Sequence, residues 1–151
     1  MYSMWLTDEQ QQIWRAYLEM VSRLQTAMQR QLQQDSELSL SDYDVLVALS
    51  EAGPQRISEL GDVLAWEQSR LSHQLSRMRG RGLVERNGSG VDRRGATVEL
   101  TNHGRAALDA AAPGHVELVR SVVFDGLSAA QLRVFGSVIE SVLARLTSQI
   151  Q

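Results

Sequence analysis

Between Leu64 and Leu100 the residue pattern changes period twice, and this limits the fold more than any other feature of the chain. From Glu67 to Arg81 the apolar residues Leu71, Leu75 and Met78 recur at helical spacing, while Ser69, Ser72, His73, Ser76 and Arg77 fall on the other side. That is a helix buried along one stripe only. Gly80 and Gly82 end it, Leu83-Val84-Glu85-Arg86 reads as a short strand, Asn87-Gly88-Ser89-Gly90 as a loop, and Ala96 to Leu100 as an alternating return strand. Asp92, Arg93 and Arg94 fall between the strands.

Helices precede and follow this unit. Ile13, Trp14, Tyr17, Leu18, Val21, Leu24, Met28 and Leu32 form one long stripe, starting at Thr7-Asp8-Glu9-Gln10, which has the form of a capping box. A second helix is expected from an N-cap at Ser41 through Tyr43, Val45, Leu46 and Leu49 to Gly53-Pro54. Arg56-Ile57 reads as a short strand, and Ser58 as the cap of a third helix through Leu60, Val63 and Leu64. Trp66 is expected to fill the core between the third and fourth helices. Beyond the hairpin, Thr101 is the expected cap of a helix that Pro113-Gly114 should kink or interrupt. Ser128 and Gln131 make a second capping box, before a stripe of Leu132, Phe135, Val138, Ile139, Val142, Leu143, Leu146 and Ile150. The fold class is therefore mainly α: a winged helix-turn-helix with a small β-hairpin wing, flanked by helices at both ends.

Those end helices carry more apolar surface than so small a core can absorb. One solution is a homodimer in which residues 1–35 and 102–151 interlock around a two-fold axis, leaving residues 41–101 as a separate lobe. The other is that the helices pack on each other within a monomer. At 151 residues the chain suits one domain rather than two.

Charge is unevenly placed. The whole chain has 15 basic and 18 acidic side chains, a net −3 that taken alone opposes a polyanion partner. From Gln68 to Arg105, however, eight arginines face three acids, leaving seven arginines and fifteen acids elsewhere. A cationic segment in an acidic chain points to one local anion-binding face. All the basic residues are arginine, which codon bias explains as readily as guanidinium chemistry. Cysteine is absent, so thiolate zinc sites, disulfides and cysteine nucleophiles are excluded. No apolar run approaches the ~20 residues of a membrane span. The start MYSMWLTDEQ lacks the order of a signal peptide, so a cytoplasmic location is expected.

The run Asp92-Arg93-Arg94-Gly95-Ala96-Thr97-Val98-Glu99-Leu100-Thr101, followed by Gly104, resembles the wing signature of the MarR family of bacterial transcription regulators. Gly80-Arg81-Gly82-Leu83-Val84-Glu85-Arg86 resembles the exit from that family's recognition helix, and the similar helix order extends over essentially the whole chain. The resemblance implies a dimer that binds pseudopalindromic operators in double-stranded DNA, usually as a repressor released by small aromatic ligands. No cofactor is expected, and no metal, since His103 and His115 lie on other elements than His73 and no carboxylate stands four residues from His73.

A helix that enters the major groove meets base edges with its N-terminal side chains, which makes Gln68, Ser69, Arg70, Ser72, His73 and Arg77 the candidate contacts. Arg70 and Arg77 would either fork onto guanine or clamp phosphate, and the sequence does not choose. In the wing, Arg93 and Arg94 are the candidate minor-groove contacts, braced by Asp92, with Arg86 as a phosphate partner. The alternative there is an exposed hairpin with a surface ion pair. Arg56 is placed to touch backbone, or simply to sit at the surface. The family's effector site, between dimerisation helices and DNA-binding lobe, would bring in Trp14, Tyr17, Tyr43 and His115, although a Trp and a Tyr three apart on a core-facing stripe more often serve packing.

Two other functional classes make different demands on the sequence. A constitutive DNA-binding or architectural protein predicts the same footprint without an effector. An enzyme would need a nucleophile elbow, a phosphate loop or metal-ligand spacing, and none is present in the sequence.

Overall fold

The computed structural model describes residues 5–88 and 95–150. Among them the chain forms α1 (Asp8–Asp35), α2 (Leu40–Ala52), α3 (Ile57–Leu64), α4 (Gln68–Gly80), β1 (Val84–Asn87), β2 (Thr97–Leu100), α5 (Asn102–Val119) and α6 (Ala129–Ile150). A π-helical turn, Arg120–Phe124, continues α5. This is the mainly helical winged architecture that the change of period predicts.

Side-chain caps decide most of the helix starts. Thr7 Oγ1 accepts from the Gln10 amide at 3.1 Å and Gln10 Oε1 accepts from the Thr7 amide at 3.0 Å, closing the expected capping box of α1. The cap of α2 is Ser39, not Ser41. Asp42 lies three residues after Ser39, so hydroxyl and carboxylate satisfy each other's backbone N–H groups, at 3.1 and 3.0 Å, and the helix starts earlier. Nor does Ser58 cap α3: Arg56 is the capping residue, with its amide donating to Glu59 at 3.3 Å. The strand expected at Arg56-Ile57 is displaced to Gln55, which exchanges two backbone hydrogen bonds with Val98, at 3.0 and 2.7 Å.

Pro113 does not interrupt α5. Proline withholds one N–H from the carbonyl four residues back, and here that residue, Asp109, is on the exposed side where water can serve. The neighbouring contact favours continuity. A Cβ on Gly114 would stand 2.2 Å from Asp35 Oδ2, so glycine lets the end of α1 lie against α5. There the Gln31 side-chain amide donates to Asp35 at 2.7 Å and to the Ala111 carbonyl at 3.3 Å.

Two units divide the chain, Met1–His115 and Val116–Gln151. The core of the first gathers Leu32, Leu38, Val45, Leu46, Leu60, Leu71, Met78 and Leu83, all fully buried. Leu32 is the buried residue of α1, whose first half leaves Ile13, Trp14, Tyr17 and Leu18 exposed. In the second unit α6 exposes Leu132, Phe135, Val138, Ile139, Val142, Leu143 and Leu146 along one stripe. No single helix among the described residues is long and apolar enough to cross a membrane.

Candidate nucleic-acid interface

The geometry of α4 follows from its residue order. At 100° per residue, Leu71, Gln74, Leu75 and Met78 share the inward side and are buried. Ser69, His73 and Ser76 then fall at the middle of the opposite side, with Ser72 beside them and Arg70 and Arg77 along one rim. Gln68, Ser69, Arg70, Ser72, His73 and Arg77 are all exposed. The helix thus offers short hydroxyls in the centre and guanidinium groups at the edge, a suitable donor set for a phosphate-lined groove.

Neither rim arginine is loose. The Arg70 guanidinium lies 4.0 Å from the centroid of the Trp66 ring, a cation–π contact. Trp66 itself is partly buried against the core, so the expected packing residue is also a platform for an arginine. Asp44 stands close enough for the Arg70 charge to oppose the upward shift that burial imposes on its carboxyl group. Arg77 donates to Gln74 Oε1 at 2.9 Å. Gln74 in turn donates to Asp42 Oδ1 at 2.5 Å, and Arg81 donates to Asp42 Oδ2 at 2.6 Å and to the Glu37 carbonyl at 2.7 Å. Asp42 is only 2% exposed and Gln74 only 5%. This chain of polar contacts ties α4 to the start of α2.

Sequence reading missed Asp42, Gln74 and Arg81 as a group. A signal existed for part of it: Gln74 is a polar residue inside the Leu71, Leu75, Met78 stripe, and such a residue needs a buried partner. The partner lies 32 positions away, so no local pattern identifies it.

The hairpin is fixed at its base. β1 and β2 pair antiparallel, from Val84 opposite Leu100 to Asn87 opposite Thr97, and Val84 and Val98 turn into the core. Thr101 Oγ1 accepts from the Gly104 amide at 2.9 Å, as expected of a cap, and donates to the Gly82 carbonyl at 2.5 Å. Gly82 has φ +76°, and a Cβ on Gly104 would stand 2.0 Å from the Leu83 carbonyl oxygen. Both glycines are therefore required where α4, β1 and α5 meet. Arg86 is exposed on β1 and Arg56 is exposed before α3. Asp92, Arg93 and Arg94 lie outside the described residues.

The four aromatic candidates form two pairs. Trp14 and Tyr17 stack on each other at 5.4 Å between ring centroids, both about half exposed, while Tyr43 and His115 meet at 4.2 Å. Tyr17 is fourteen residues before Gln31, which contacts α5 close to His115. At 1.5 Å per residue that is roughly 21 Å of helix, so one protomer does not bring the two pairs into one site. Burial raises the Tyr43 hydroxyl pKa, with Asp44 and Glu51 adding to the shift, and lowers that of His115. Among the described residues no group of three or more His, Asp or Glu side chains could hold a metal ion.

A one-sided polar helix, a glycine exit and a hairpin anchored at its base define a winged helix-turn-helix protein. Comparison with known proteins narrows the class. The model of the MarR family matches residues 36–95. AbsC, a MarR family transcriptional regulator from Streptomyces coelicolor, is 35% identical with a TM-score of 0.89, covering 97% of this chain and 99% of AbsC. Sco3205, a second MarR family regulator from that organism, solved in complex with DNA, is 38% identical with a TM-score of 0.87 over 94% of each chain. The HTH-type transcriptional repressor NicR of Pseudomonas putida is 35% identical over 88 residues, 58% of this chain, which spans only 56% of NicR. The chain belongs to the MarR family of winged-helix, DNA-binding transcription regulators.

Proposed function

We propose that this protein is a homodimeric transcriptional repressor that binds a pseudopalindromic operator, placing α4 of each protomer in successive major grooves and each wing in the adjoining minor groove. The observation that carries the reading is the exposed face of α4, which presents Ser69, Ser72, His73 and Ser76 between a buried apolar stripe and two tethered arginines. Gln68, Ser69, Arg70, Ser72, His73 and Arg77 are its contacts, with Arg86 and Arg56 on phosphates. Arg93 and Arg94 act from the wing with Asp92 as brace. The DNA complex of Sco3205 supports the reading, since the two proteins are 38% identical over 94% of each chain.

Two-fold symmetry is supported by the exposed apolar stripes of α1 and α6, which a second copy would cover. It would set the two recognition helices one groove repeat apart, ~34 to 36 Å. Repression agrees with the repressor NicR among the relatives. A small aromatic ligand, the effector class implied by the family resemblance, would release the operator by altering that separation.

Selection of binding sites from genomic fragments at fixed salt tests the reading. Half-sites one helical turn apart are expected, and Arg94→Ala should weaken binding by roughly 1–3 kcal/mol, or about 5- to 150-fold, while leaving the dimer intact. Equal affinity of variant and parent in a gel shift removes the wing from the interface. Phenolic compounds added to the parent complex separate an effector-released repressor from a constitutive binder, whose shift they would not change.

A further inference from the structure

We propose that Gln74 is a positioning residue for Arg77, and that Asp42 decides which way its amide faces, so that a guanidinium on the rim of α4 is oriented before a duplex arrives. The inference rests on the reading of α4 as the DNA-facing helix.

The logic is one of donors and acceptors. An ionised carboxylate only accepts. Asp42 Oδ2 receives Arg81 at 2.6 Å and the Ser39 amide at 3.0 Å, which leaves Oδ1 directed at Gln74. The one end of the Gln74 side chain that can approach Oδ1 is its NH₂ group, at 2.5 Å. Its oxygen is therefore turned the other way, where an acceptor can hold only a donor, and Arg77 Nη2 occupies that place at 2.9 Å. Polarity is thus passed from a buried acid, through an amide, to an exposed cation. Arg77 commits one of its five N–H groups and keeps the rest for a partner.

The arrangement has a cost that packing alone would not justify. Gln74 sits at 5% exposure among Leu71, Leu75 and Met78, where an apolar side chain of the same length would need no desolvation. What the amide supplies is direction. A free arginine loses rotamer entropy when it docks, and holding it beforehand removes part of that loss. Arg79, two residues further along α4, has no such tether among the described residues and is the internal control.

The test is a double-mutant cycle on the operator duplex recovered by selection, read by fluorescence anisotropy, using parent, Gln74→Met, Arg77→Ala and the double variant. Gln74→Met keeps the chain length and leaves Asp42 paired with Arg81 and Ser39. It should melt within a few degrees of the parent and bind roughly three- to tenfold more weakly. In the Arg77→Ala background the same substitution should have no further effect, because there is nothing left to orient. Arg77→Ala should also reduce the salt slope of binding by about one, and Gln74→Met should leave it unchanged. The proposal is overturned if Gln74→Met binds like the parent, if its loss is equal in both backgrounds, or if Arg77→Ala binds as tightly as the parent. In each case the parent still binds, so the reading of α4 as the DNA-facing helix survives. A parent that ignores every duplex overturns both. Should Gln74→Met not fold, side-chain relaxation of the parent decides: Arg77 Nε–H more ordered than that of Arg79 supports the relay, and equal mobility of the two overturns it.

Discussion

The segment from α2 to β2 and the stripe along α6 contain similar apolar residues, yet they meet opposite fates. In the first, Leu46, Leu60, Leu71, Met78 and Val98 are at most 2% exposed, while in the second Leu132, Val138, Leu143 and Leu146 are about half exposed. Helical periodicity is equally clear in both. Periodicity therefore reports that a face must be covered, and says nothing of whether the cover comes from the same chain. The segment from α2 to β2 is covered within the chain, sharing its core with Leu32 of α1 and Ala111 of α5, whereas the α6 stripe stays exposed.

The sharpest way to break this contrast is a charge in the uncovered stripe. Leu143→Asp places a carboxylate in the proposed interface twice, once per protomer, where desolvation is expensive. The expected result is a halved mass by light scattering at micromolar concentration and loss of the operator shift; an unchanged mass would mean that α6 is not the interface. Next in size is Leu71→Ala, which empties a fully buried position in the core. It should lower unfolding stability by about 2–5 kcal/mol in a urea titration, and a loss under about 1 kcal/mol would show that α4 is not packed as described.

The smallest effect sharpens the contrast at the contact between α2 and α5. His115 is pressed against Tyr43, and its buried Nδ1 has no hydrogen-bond partner. Burial holds its pKa below the usual 6.5. The unfolded chain then takes up a proton as pH falls through 6.5 while the folded chain resists, so this contribution is intact above that pH and is lost between 6.5 and the lowered folded value. His115→Phe keeps a ring against Tyr43 and cannot titrate. Its urea midpoint should fall less than the parent's between pH 7 and pH 5, and parallel curves would contradict the assignment.

Local signals suffice where they are self-contained. The capping boxes at Thr7 and Ser128 and the exit at Gly80-Arg81-Gly82 involve residues within one turn of each other, and the stripe of α4 spans about two. Errors arose where two local signals competed. Ser41 and Ser39 both suit a cap, and Asp42 settles the choice because it answers Ser39 reciprocally. Pro113 is a breaker by rule, yet one missing N–H on an exposed side is outweighed by the contact of α5 with α1 at Gln31 and Gly114. The outward face of α4 was legible in the sequence because exposure there follows directly from the stripe opposite. Its supports were not, since Trp66 beneath Arg70 and Asp42 behind Gln74 act through space.

By itself the order of residues determined that this chain is a winged helix-turn-helix with surplus apolar helix at both ends, because period, caps and glycines act over a few residues. Only the tertiary structure decided which arginines are held and by what. Arg81 is bound to a buried acid, Arg77 is oriented through an amide and Arg70 rests on an indole. Hydrogen bonds and ring contacts depend on distances of a few ångströms between segments tens of residues apart, and folding alone brings those segments together.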